Sequence, residues 1–337
     1  MKNRIFARKK PMLKIGVLGT GHLGKIHLKC INSLPTHYQL VGFYDPDRAN
    51  AEKVVAEFGI QAFDTIDALV EAVDVVDIVT PTIHHFDCAS AVLKKNKHVF
   101  IEKPVVATPD EAQRLIALAE QSNVKIQVGH VERFNPAYIA VQPFLSNPMF
   151  IEAHRLAEFN PRGCDVPVVL DLMIHDIDIL LNAVKSDVKA IHASGINVVS
   201  DTHDIANARL EFVNGAVANL TASRISMKNM RKMRFFQQNA YLTVDFLNKK
   251  TDIINMRDVV ADDDKDPFAM IFDMGNGKTK KRITIQNPEI KPINAIQTEL
   301  ETFADAITHN TNPIVTINDG CKALEVAHRI LAACNRP

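Results

Sequence analysis

The stretch "KIGVLGTGHLGKIH", Lys14 to His27, decides the fold that we expect for the first part of this chain. Its glycines, Gly19, Gly21 and Gly24, follow a short apolar run with the spacing G-x-G-x-x-G. Glycine at these positions permits a tight turn, close approach of the backbone to a pyrophosphate, and close packing of a helix on the strand. The stretch therefore predicts a strand, a glycine-rich loop and a helix whose N-terminus favours an anion.

An acidic residue at the expected distance indicates that this anion is a dinucleotide. Asp45, in "VGFYDP", lies 21 residues after Gly24 and ends a second apolar run. An aspartate there accepts hydrogen bonds from the adenosine ribose hydroxyls and disfavours a 2′-phosphate. We therefore expect NAD as the cofactor, although the neighbouring Arg48 leaves NADP open. The other loop residues expected to contact the cofactor are Thr20, His22 and Leu23.

Between residues 13 and 128, short apolar runs alternate with amphipathic helical patterns. The runs "LKIGVLG", "YQLVGFYD", "VDVVDIVTP", "KHVFIEKP" and "VKIQVGH" are typical of buried strands. The segments "DRANAEKVVAEFG", "DCASAVLKKN" and "TPDEAQRLIALAEQSN" are typical of helices, the last with Thr108 as its N-cap. The alternation predicts an α/β fold with a doubly wound parallel sheet, a Rossmann domain over residues 12–130.

After about residue 131 the pattern changes to alternating strands. In "DIANARLEF" every second residue is apolar, and Asn214-Gly215 then predicts a hairpin into "AVANLTAS". Further strands are predicted at "FIEAHRLAEF", "VKAIHASGINVV", "MRFFQQNAYLTVDF" and "KRITIQ", with polar loops at "ADDDKDP" and "GNGKTKK". Helices at "INAIQTELETFADAITHN" and "DGCKALEVAHRILAAC" close the chain. Residues 131–337 are thus expected to form an α+β domain with a mostly antiparallel sheet.

The composition is that of an ordinary globular protein. The chain has 337 residues, 47% of them hydrophobic, and 39 basic side chains balance 39 acidic ones. A balanced charge gives no field that favours nucleic acid or an anionic membrane, so we expect neither as a partner.

The cysteines and the N-terminal residues indicate the cellular compartment in which we expect the protein. An odd number of widely spaced cysteines argues against a disulfide framework and a zinc site; they are Cys30, Cys88, Cys164, Cys321 and Cys334. The basic segment "MKNRIFARKKP" lacks the apolar core of a signal peptide. We therefore expect a cytoplasmic protein with reduced thiols. The basic segment is expected to be solvated, and the alternative is an arm that binds nucleic acid.

Two segments follow strands at the edge where parallel sheets bind ligands. "TPTIHH" is expected to place Thr80, Pro81 and His85 beside the dinucleotide, although two loop histidines without a role are an equal alternative. Adjacent histidines do not readily face one metal, so no metal is predicted. "IEKPVV" places Glu102 and Lys103 at the same edge, where both are expected to contact the cofactor. A partly buried lysine there can also exchange a proton with a substrate hydroxyl. A lysine simply exposed beyond a strand is the alternative.

The segment "VPVVLDLMIHDIDILLNAV" is predicted to be one helix that is apolar apart from a few ionisable residues. Asp171 and His175 are four residues apart, so they are offset by only roughly 40° around the helix. Buried ionisable groups are costly without partners or a function, so the pair indicates the wall of a site. A self-satisfied pair that only orients the helix is the alternative.

In chain order, "GTGHLG", "TPTIHH", "KKNKHVFIEKP", "VERFNPAY" and "DLMIHDID" resemble the Gfo/Idh/MocA (glucose-fructose oxidoreductase / inositol dehydrogenase) family. The most specific part is E-K-P followed by D-x-x-x-H. The resemblance implies a nicotinamide dinucleotide on an N-terminal Rossmann domain and a sugar, cyclitol or related polyol on a C-terminal domain with an open sheet. It also implies a homodimer or homotetramer joined through that sheet.

The resemblance also implies roles for individual residues. Lys103 matches the family lysine that contacts substrate and assists proton transfer, and Glu102 orients it or a nearby backbone group. Asp171 and His175 match D-x-x-x-H, with His175 the acid or base and Asp171 a partner of a substrate hydroxyl. Together His175 and Lys103 would take the proton from a secondary alcohol while hydride moves to nicotinamide.

One departure from the family pattern bears on the substrate. Many members have a glycine between the motif Asp and His, where this chain has Met173. With "VGHVERFNPA", this variant resembles the branch that includes UDP-N-acetylglucosamine 3-dehydrogenases, which implies a nucleotide sugar oxidised at C3. Arg133, Arg155 and Arg162 would then bind the diphosphate, the alternative being ordinary surface arginines.

Other functions stay open at this point. A dehydrogenase of a free sugar or cyclitol has the same motifs, and a trans-dihydrodiol or biliverdin-type reductase also transfers hydride. The family further includes dinucleotide-binding regulators without turnover. The presence of Lys103, Asp171 and His175 together favours an enzyme over a regulator.

Overall fold

The computed structural model of the chain describes residues 12–160, 166–260, 270–273, 275 and 279–335. The predicted basic arm, Arg162, Cys164 and the loop "ADDDKDP" lie outside these ranges. Within them, every helix is too short or too polar to cross a membrane. The chain divides into two compact units, the first comprising the residues up to His130 together with Ile296–Cys321, and the second comprising Val131–Ala295 and the residues from Lys322 on.

The first unit is built on a sheet of six strands in the order β3-β2-β1-β4-β5-β6, and all neighbours in it are parallel. Its strands are β1 (Leu13–Leu18), β2 (Tyr38–Tyr44), β3 (Gln61–Ala62), β4 (Val75–Ile78), β5 (His98–Glu102) and β6 (Ile126–Gly129). The order reverses direction between β1 and β4, and such a switch point opens a ligand crevice at the carboxyl ends of the strands. The predicted Rossmann fold is confirmed.

The helices of this sheet largely follow the predicted pattern. They are α1 (His22–Asn32), α2 (Arg48–Phe58), α3 (Ile66–Ala72), α4 (His85–Lys94) and α5 (Pro109–Glu120). The predicted cap of α5 is confirmed, because the Thr108 side chain accepts from the backbone N–H of Glu111 while the Glu111 side chain binds the Thr108 backbone. Helix α3 and strand β3 were not predicted, since seven and two residues are too short for a periodic signal.

The second unit is built on a nine-stranded sheet in the order β14-β15-β13-β12-β11-β7-β10-β9-β8. Its strands are β7 (Pro148–Leu156), β8 (Val188–Ile196), β9 (Ile205–Phe212), β10 (Val217–Ser223), β11 (Met230–Gln237), β12 (Ala240–Asp245), β13 (Lys250–Asp258), β14 (Met270–Phe272) and β15 (Lys281–Gln286). Neighbouring strands are antiparallel except β7 and β10. The predicted antiparallel α+β domain is confirmed.

Two details of this sheet follow from turn chemistry. Gly215 has φ of +87° and closes the predicted hairpin between β9 and β10. The segment "MRFFQQNAYLTVDF" forms two strands, β11 and β12, because Asn239 adopts φ of +65° between them. Asparagine tolerates this left-handed conformation better than most residues, which allows the tight turn.

The two faces of the second sheet differ. One face is the core of the unit and buries Ile151, Ala153, Met233, Phe235 and Leu242. Its helices are α6 (Pro136–Val141), α7 (Ile174–Val184) and part of α9 (Ile317–Cys334). The opposite face carries an aromatic group of Phe150, Phe236 and Tyr241, with ring centroids 5.7 Å and 4.7 Å apart in successive pairs. Successive residues of a strand point to opposite faces of the sheet, so Phe150 and Phe236 on this open face point away from the core that their neighbours Ile151 and Phe235 enter.

Helix α8 (Ala295–Thr308) returns to the first unit. The Tyr38 hydroxyl donates to the Leu300 carbonyl at 2.8 Å, and the Phe303 ring lies edge-on to Phe100 at 6.0 Å. The Gln127 side chain donates to the carbonyl of Glu299 at 2.7 Å. The sequence-based division, which placed all residues after 131 in one domain, did not include this return.

Candidate functional site

The glycine loop of the first unit is tightly folded. Gly19 has φ of +86°, a backbone conformation that residues other than glycine rarely adopt. A Cβ on Gly24 would lie 2.1 Å from the carbonyl oxygen of Gly19, so no larger residue fits there. Gly21 is exposed, and a Cβ there would meet nothing within 4 Å. Helix α1 begins after Gly21 without a side-chain cap, which leaves its first amides for an anion.

Asp45, at the end of β2, is bound to this loop. Its Oδ2 accepts from the backbone N–H of Thr20 at 2.9 Å, from the Thr20 hydroxyl at 2.8 Å and from the Asn50 amide at 3.0 Å. Burial raises the pKa of Asp45, but the hydrogen bonds from Thr20, Asp47 and Asn50 outweigh it and hold the pKa below its usual value. The carboxylate is therefore ionised and fixed beside the loop.

A cleft of about 710 Å³ joins these elements. It is lined by the following predicted cofactor residues: Gly19, Gly21, His22, Leu23, Gly24, Asp45, Thr80 and Pro81. Five other residues that were predicted to contact the cofactor do not line it: Thr20, Arg48, His85, Glu102 and Lys103. Thr20 is fully buried and holds Asp45, while the exposed Arg48 lines a neighbouring cleft of about 770 Å³ that shares Asp45. His84 lines the 710 Å³ cleft in place of His85.

His85 instead connects two loops from within the protein. It is buried, with Nε2 2.9 Å from the carbonyl oxygen of Thr80 and Nδ1 2.9 Å from that of Pro104. Burial lowers the pKa of His85 more than these carbonyls raise it. The histidine therefore links the end of β4 to the turn that contains Lys103.

Lys103 follows β5 directly and is half-buried. Its backbone N–H donates to Oε2 of Glu102 at 3.1 Å, so the glutamate binds the lysine's own main chain. Oε1 of Glu102 lies 3.2 Å from Nε2 of His27 on α1. The arrangement agrees with the prediction that Glu102 orients a backbone group near the lysine.

Sequence reasoning missed the buried groups behind Glu102. His27 lies three residues beyond Gly24, Asp77 interrupts the apolar run of β4, and Glu299 lies on α8; all three are fully buried. The signal available was Asp77, a charged residue inside a strand that is otherwise apolar. Glu299 could not be found this way, because only the fold brings α8 to β5.

The same group bears on metal binding. His27, Glu102 and Glu299 each offer one possible ligand atom, and these three atoms lie within 4.8 Å of one another. Among the described residues, this group could offer three ligands to a metal ion. Burial and the nearby Glu102 charge raise the pKa of Glu299 well above its usual value, which favours its protonated form. A carboxyl must lose its proton to bind a cation, so we assign no ion here.

In the second unit the predicted single helix begins differently. Residues Val169–Met173 form one π-helical turn before α7, a feature that often marks functional sites. Asp171 lies in that turn and His175 in the first turn of α7, and both side chains are half-buried. Asp176 and Asp178, by contrast, are almost fully buried.

Two predicted diphosphate contacts have other partners in this structure. The Arg133 guanidinium donates to both oxygens of Asp178 at 2.7 Å. Arg155 donates to Asp176 at 3.0 Å and 2.8 Å and to Glu132 at 2.8 Å. Both arginines are at most 5% exposed. A diphosphate contact of these residues stays a prediction, whereas the observed geometry gives them a structural role.

Two family models match the chain. The oxidoreductase family with an NAD-binding Rossmann fold (GFO_IDH_MocA) matches residues 13–130. The GFO/IDH/MocA C-terminal domain matches residues 154–243.

Individual relatives point in the same direction. The UDP-N-acetylglucosamine 3-dehydrogenase of Acidithiobacillus ferrooxidans is 40% identical over 238 residues, 70% of this chain and 75% of the relative. Its solved structure has a TM-score of 0.84 at 32% identity and covers 96% of this chain and 98% of that one. The scyllo-inositol 2-dehydrogenase of Bacillus subtilis is 28% identical over 64% of this chain and 68% of its own. A scyllo-inositol dehydrogenase of Lactobacillus casei with bound NAD(H) and scyllo-inositol shares the fold, with a TM-score of 0.75 at 21% identity over 96% of this chain and 97% of that one.

The ion pairs of Arg155 predict a structural role that can be measured. Arg155→Ala leaves Asp176 and Glu132 buried without their cation, so we expect it to lower the free energy of unfolding by about 3–5 kcal/mol. Arg234→Ala on the neighbouring strand removes only an exposed pair with Glu152, worth about 0–1 kcal/mol. Urea denaturation of both variants compares them. Equal stability of the Arg155→Ala and wild-type proteins, with weakened substrate binding, would favour the diphosphate role.

Proposed function

Because the chain belongs to the Gfo/Idh/MocA family of NAD-binding oxidoreductases, we propose that it oxidises the nucleotide sugar UDP-N-acetylglucosamine at C3. It is an NAD-dependent oxidoreductase that acts on sugar hydroxyl groups. The observation that carries the finer proposal is the similarity to the Acidithiobacillus ferrooxidans enzyme over 96% of the chain.

The residues of the first unit fit a nicotinamide dinucleotide. The cradle at Gly19, Gly21 and Gly24 would hold the pyrophosphate on the amides of α1, and Asp45 would bind the adenosine ribose hydroxyls. The ionised Asp45 disfavours a 2′-phosphate, and Arg48 lines the neighbouring cleft, so NAD fits better than NADP. When bound, NAD supplies the nicotinamide carbon that accepts or gives the hydride.

We assign the proton transfer of the first unit to Lys103. It follows β5 at the carboxyl edge of the sheet, the edge at which the glycine loop and Thr80 also lie. The residue is half-buried, and Glu102 holds its backbone. These features suit a group that exchanges a proton with a substrate hydroxyl.

In the second unit we assign His175 as acid or base and Asp171 as the partner of a substrate hydroxyl. Both are ionisable, half-buried and located at the start of a mainly apolar helix whose other two aspartates are buried and paired with arginines. A contact of Arg162 with the diphosphate also belongs to this proposal. These roles rest on the match to the family motif.

A second candidate function is the oxidation of a free cyclitol. It is favoured by the similarity to the scyllo-inositol 2-dehydrogenase of Bacillus subtilis. That similarity is weaker, at 28% identity, so the nucleotide sugar comes first. A regulator without turnover is disfavoured because Lys103, Asp171 and His175 are all present.

A panel of substrates separates these candidates. We expect purified protein with NAD to form NADH with UDP-N-acetylglucosamine at a kcat/KM at least about tenfold above that with scyllo-inositol, since buried polar groups discriminate strongly between hydroxyl patterns. Nicotinamide absorbance gives the rates, and ¹³C NMR of the product locates the new carbonyl at C3. Activity with inositol and none with the nucleotide sugar would contradict the proposal.

The role of Lys103 predicts a separable effect on turnover. Lys103→Met keeps the apolar stem but removes the proton carrier, so kcat is expected to fall about 10²- to 10⁴-fold. NADH affinity, measured by fluorescence, should change little because the glycine loop is intact. Lys97→Met, just before β5, serves as the control, since the Lys97 amine donates to the Val73 carbonyl at the opposite end of that strand from Lys103. Undiminished turnover of Lys103→Met would remove the lysine from the mechanism.

We further propose that the open face of the second sheet pairs with a second copy to form a homodimer or homotetramer. The support is the aromatic group of the exposed Phe150 and Phe236 with the half-buried Tyr241, because apolar surface of this kind is typical of protein interfaces. Phe236→Glu is expected to shift the sedimentation coefficient of the protein toward that of a monomer. Ile314→Glu, at an exposed residue of the first unit, is the control. A wild-type protein that sediments as a monomer would exclude the proposal.

A further inference from the structure

We propose that the buried chain Asp77–His27–Glu102 positions Lys103 and keeps an ionised carboxylate beside it. His27 is thus a positioning residue that acts through Glu102. This inference rests on the proposed function in one respect, since it is the proton transfer by Lys103 that the chain would serve.

Short contacts lead from β4 to the backbone of the lysine. Oδ2 of Asp77 lies 2.9 Å from Nδ1 of His27. Nε2 of His27 lies 3.2 Å from Oε1 of Glu102, which is within ion-pair distance although the two atoms are not aligned as a hydrogen bond. The second oxygen of Glu102 then accepts from the backbone N–H of Lys103 at 3.1 Å. Each member comes from a different element, with Asp77 on β4, His27 on α1 and Glu102 on β5.

Two neighbouring residues, Gly129 and Phe100, pack directly against this chain. Gly129 pairs with Glu102 across β5 and β6, and a Cβ on Gly129 would lie 2.7 Å from Oε1 of Glu102. The His27 ring packs edge-on against Phe100 at 5.8 Å. A glycine is therefore required on β6 so that the Glu102 carboxylate can turn inward rather than toward solvent.

The charges of the group support the same assignment. Burial lowers the pKa of His27, but Asp77 and Glu102 raise it well above its usual value, which favours the imidazolium. Burial raises the pKa of Glu102, but His27 and Lys103 outweigh it, so the pKa is lowered.

Of the other titratable groups that face the chain, Asp77 is paired with His27, whereas Glu299 and Tyr38 favour their protonated forms. Burial raises the pKa of Asp77 despite His27, and it raises that of Glu299 on α8 well above the usual value. Burial also raises the pKa of Tyr38 on β2, which keeps its hydroxyl protonated. The ionised carboxylate beside Lys103 therefore depends on His27.

Loss of His27 has a defined consequence for the lysine. Glu102 would stay buried without its cation, and burial then favours the protonated carboxyl. The ammonium form of Lys103 would lose a neighbouring negative charge, and its backbone would lose a charged acceptor. Both effects pass through Glu102.

The test measures Lys103 directly, without a substrate. Full-length protein is labelled with trace acetic anhydride across a pH series, and peptide mass spectrometry gives the midpoint of Lys103 labelling. We expect the midpoint to fall by about one pH unit in His27→Gln and in Glu102→Gln, since an opposite charge is lost in each. The double variant should match Glu102→Gln alone, because His27 acts through Glu102. The control is His98→Gln, at the other end of β5, where the His98 ring accepts from the Lys125 backbone. The midpoint of Lys103 labelling should not move in this variant.

Turnover gives a second readout with the sugar that the wild-type enzyme oxidises. Maximal kcat should fall about tenfold in His27→Gln, a size known for partners that orient a functional group. The pH of half-maximal kcat should move with the labelling midpoint, and the KM for NAD should stay within about threefold, as expected when only transition-state contacts are lost. A purely structural loss would lower active protein without moving either midpoint.

The outcomes separate this inference from the proposed function. An unmoved Lys103 midpoint in His27→Gln, or effects of His27→Gln and Glu102→Gln that add in the double variant, would overturn the positioning role. If His27→Gln does not fold, ¹⁵N-histidine NMR of the wild-type protein decides, since His27 should carry both ring protons at pH 7 and a neutral ring would overturn the inference. A wild-type protein without turnover on any sugar contradicts the proposed function, while the labelling and NMR results stand by themselves.

Discussion

The contact of Gly24 with the carbonyl oxygen of Gly19 is the constraint on which the first unit depends. It brings α1 so close to the turn after β1 that no Cβ fits between them. The same loop sets the Thr20 amide beside Asp45, and the close packing at Gly24 places His27, three residues further along α1, behind the end of β5. One short loop therefore fixes both the cofactor cleft and the support of Lys103.

Each unit also buries a network of charges next to its candidate residues. In the first unit the network joins Asp77, His27 and Glu102, and in the second it joins Arg155 to Asp176 and Glu132. Buried ion pairs contribute little net stability, because desolvation offsets much of the attraction, but removing one partner is costly. Such networks fix geometry more than they add stability, and here both lie directly against the segments that carry Lys103 or His175.

Much of this architecture could be predicted from local patterns. Continuous apolar runs that alternate with helical patterns identified the parallel sheet, and Asn214-Gly215 identified the hairpin of the second sheet. The roles of Arg155 and His85 could not be predicted, because a sequence does not state whether a polar side chain meets solvent or a buried partner. Helix periodicity also could not reveal the π-helical turn at Val169–Met173, since its apolar pattern is that of an ordinary helix.

The return of α8 to the first unit has a consequence for synthesis on the ribosome. The hydroxyl of Tyr38 binds a carbonyl 262 residues later, and the side chain of Gln127 binds one 172 residues later. The nascent Rossmann sheet therefore lacks α8, whose Phe303 packs against Phe100, until Val131–Ala295 and the helix itself have been translated. Long-range closure of this kind slows folding and exposes apolar surface to chaperones. It also means that a gene fragment ending at His130 encodes an incomplete core, so exchange of this unit between proteins requires two insertions rather than one.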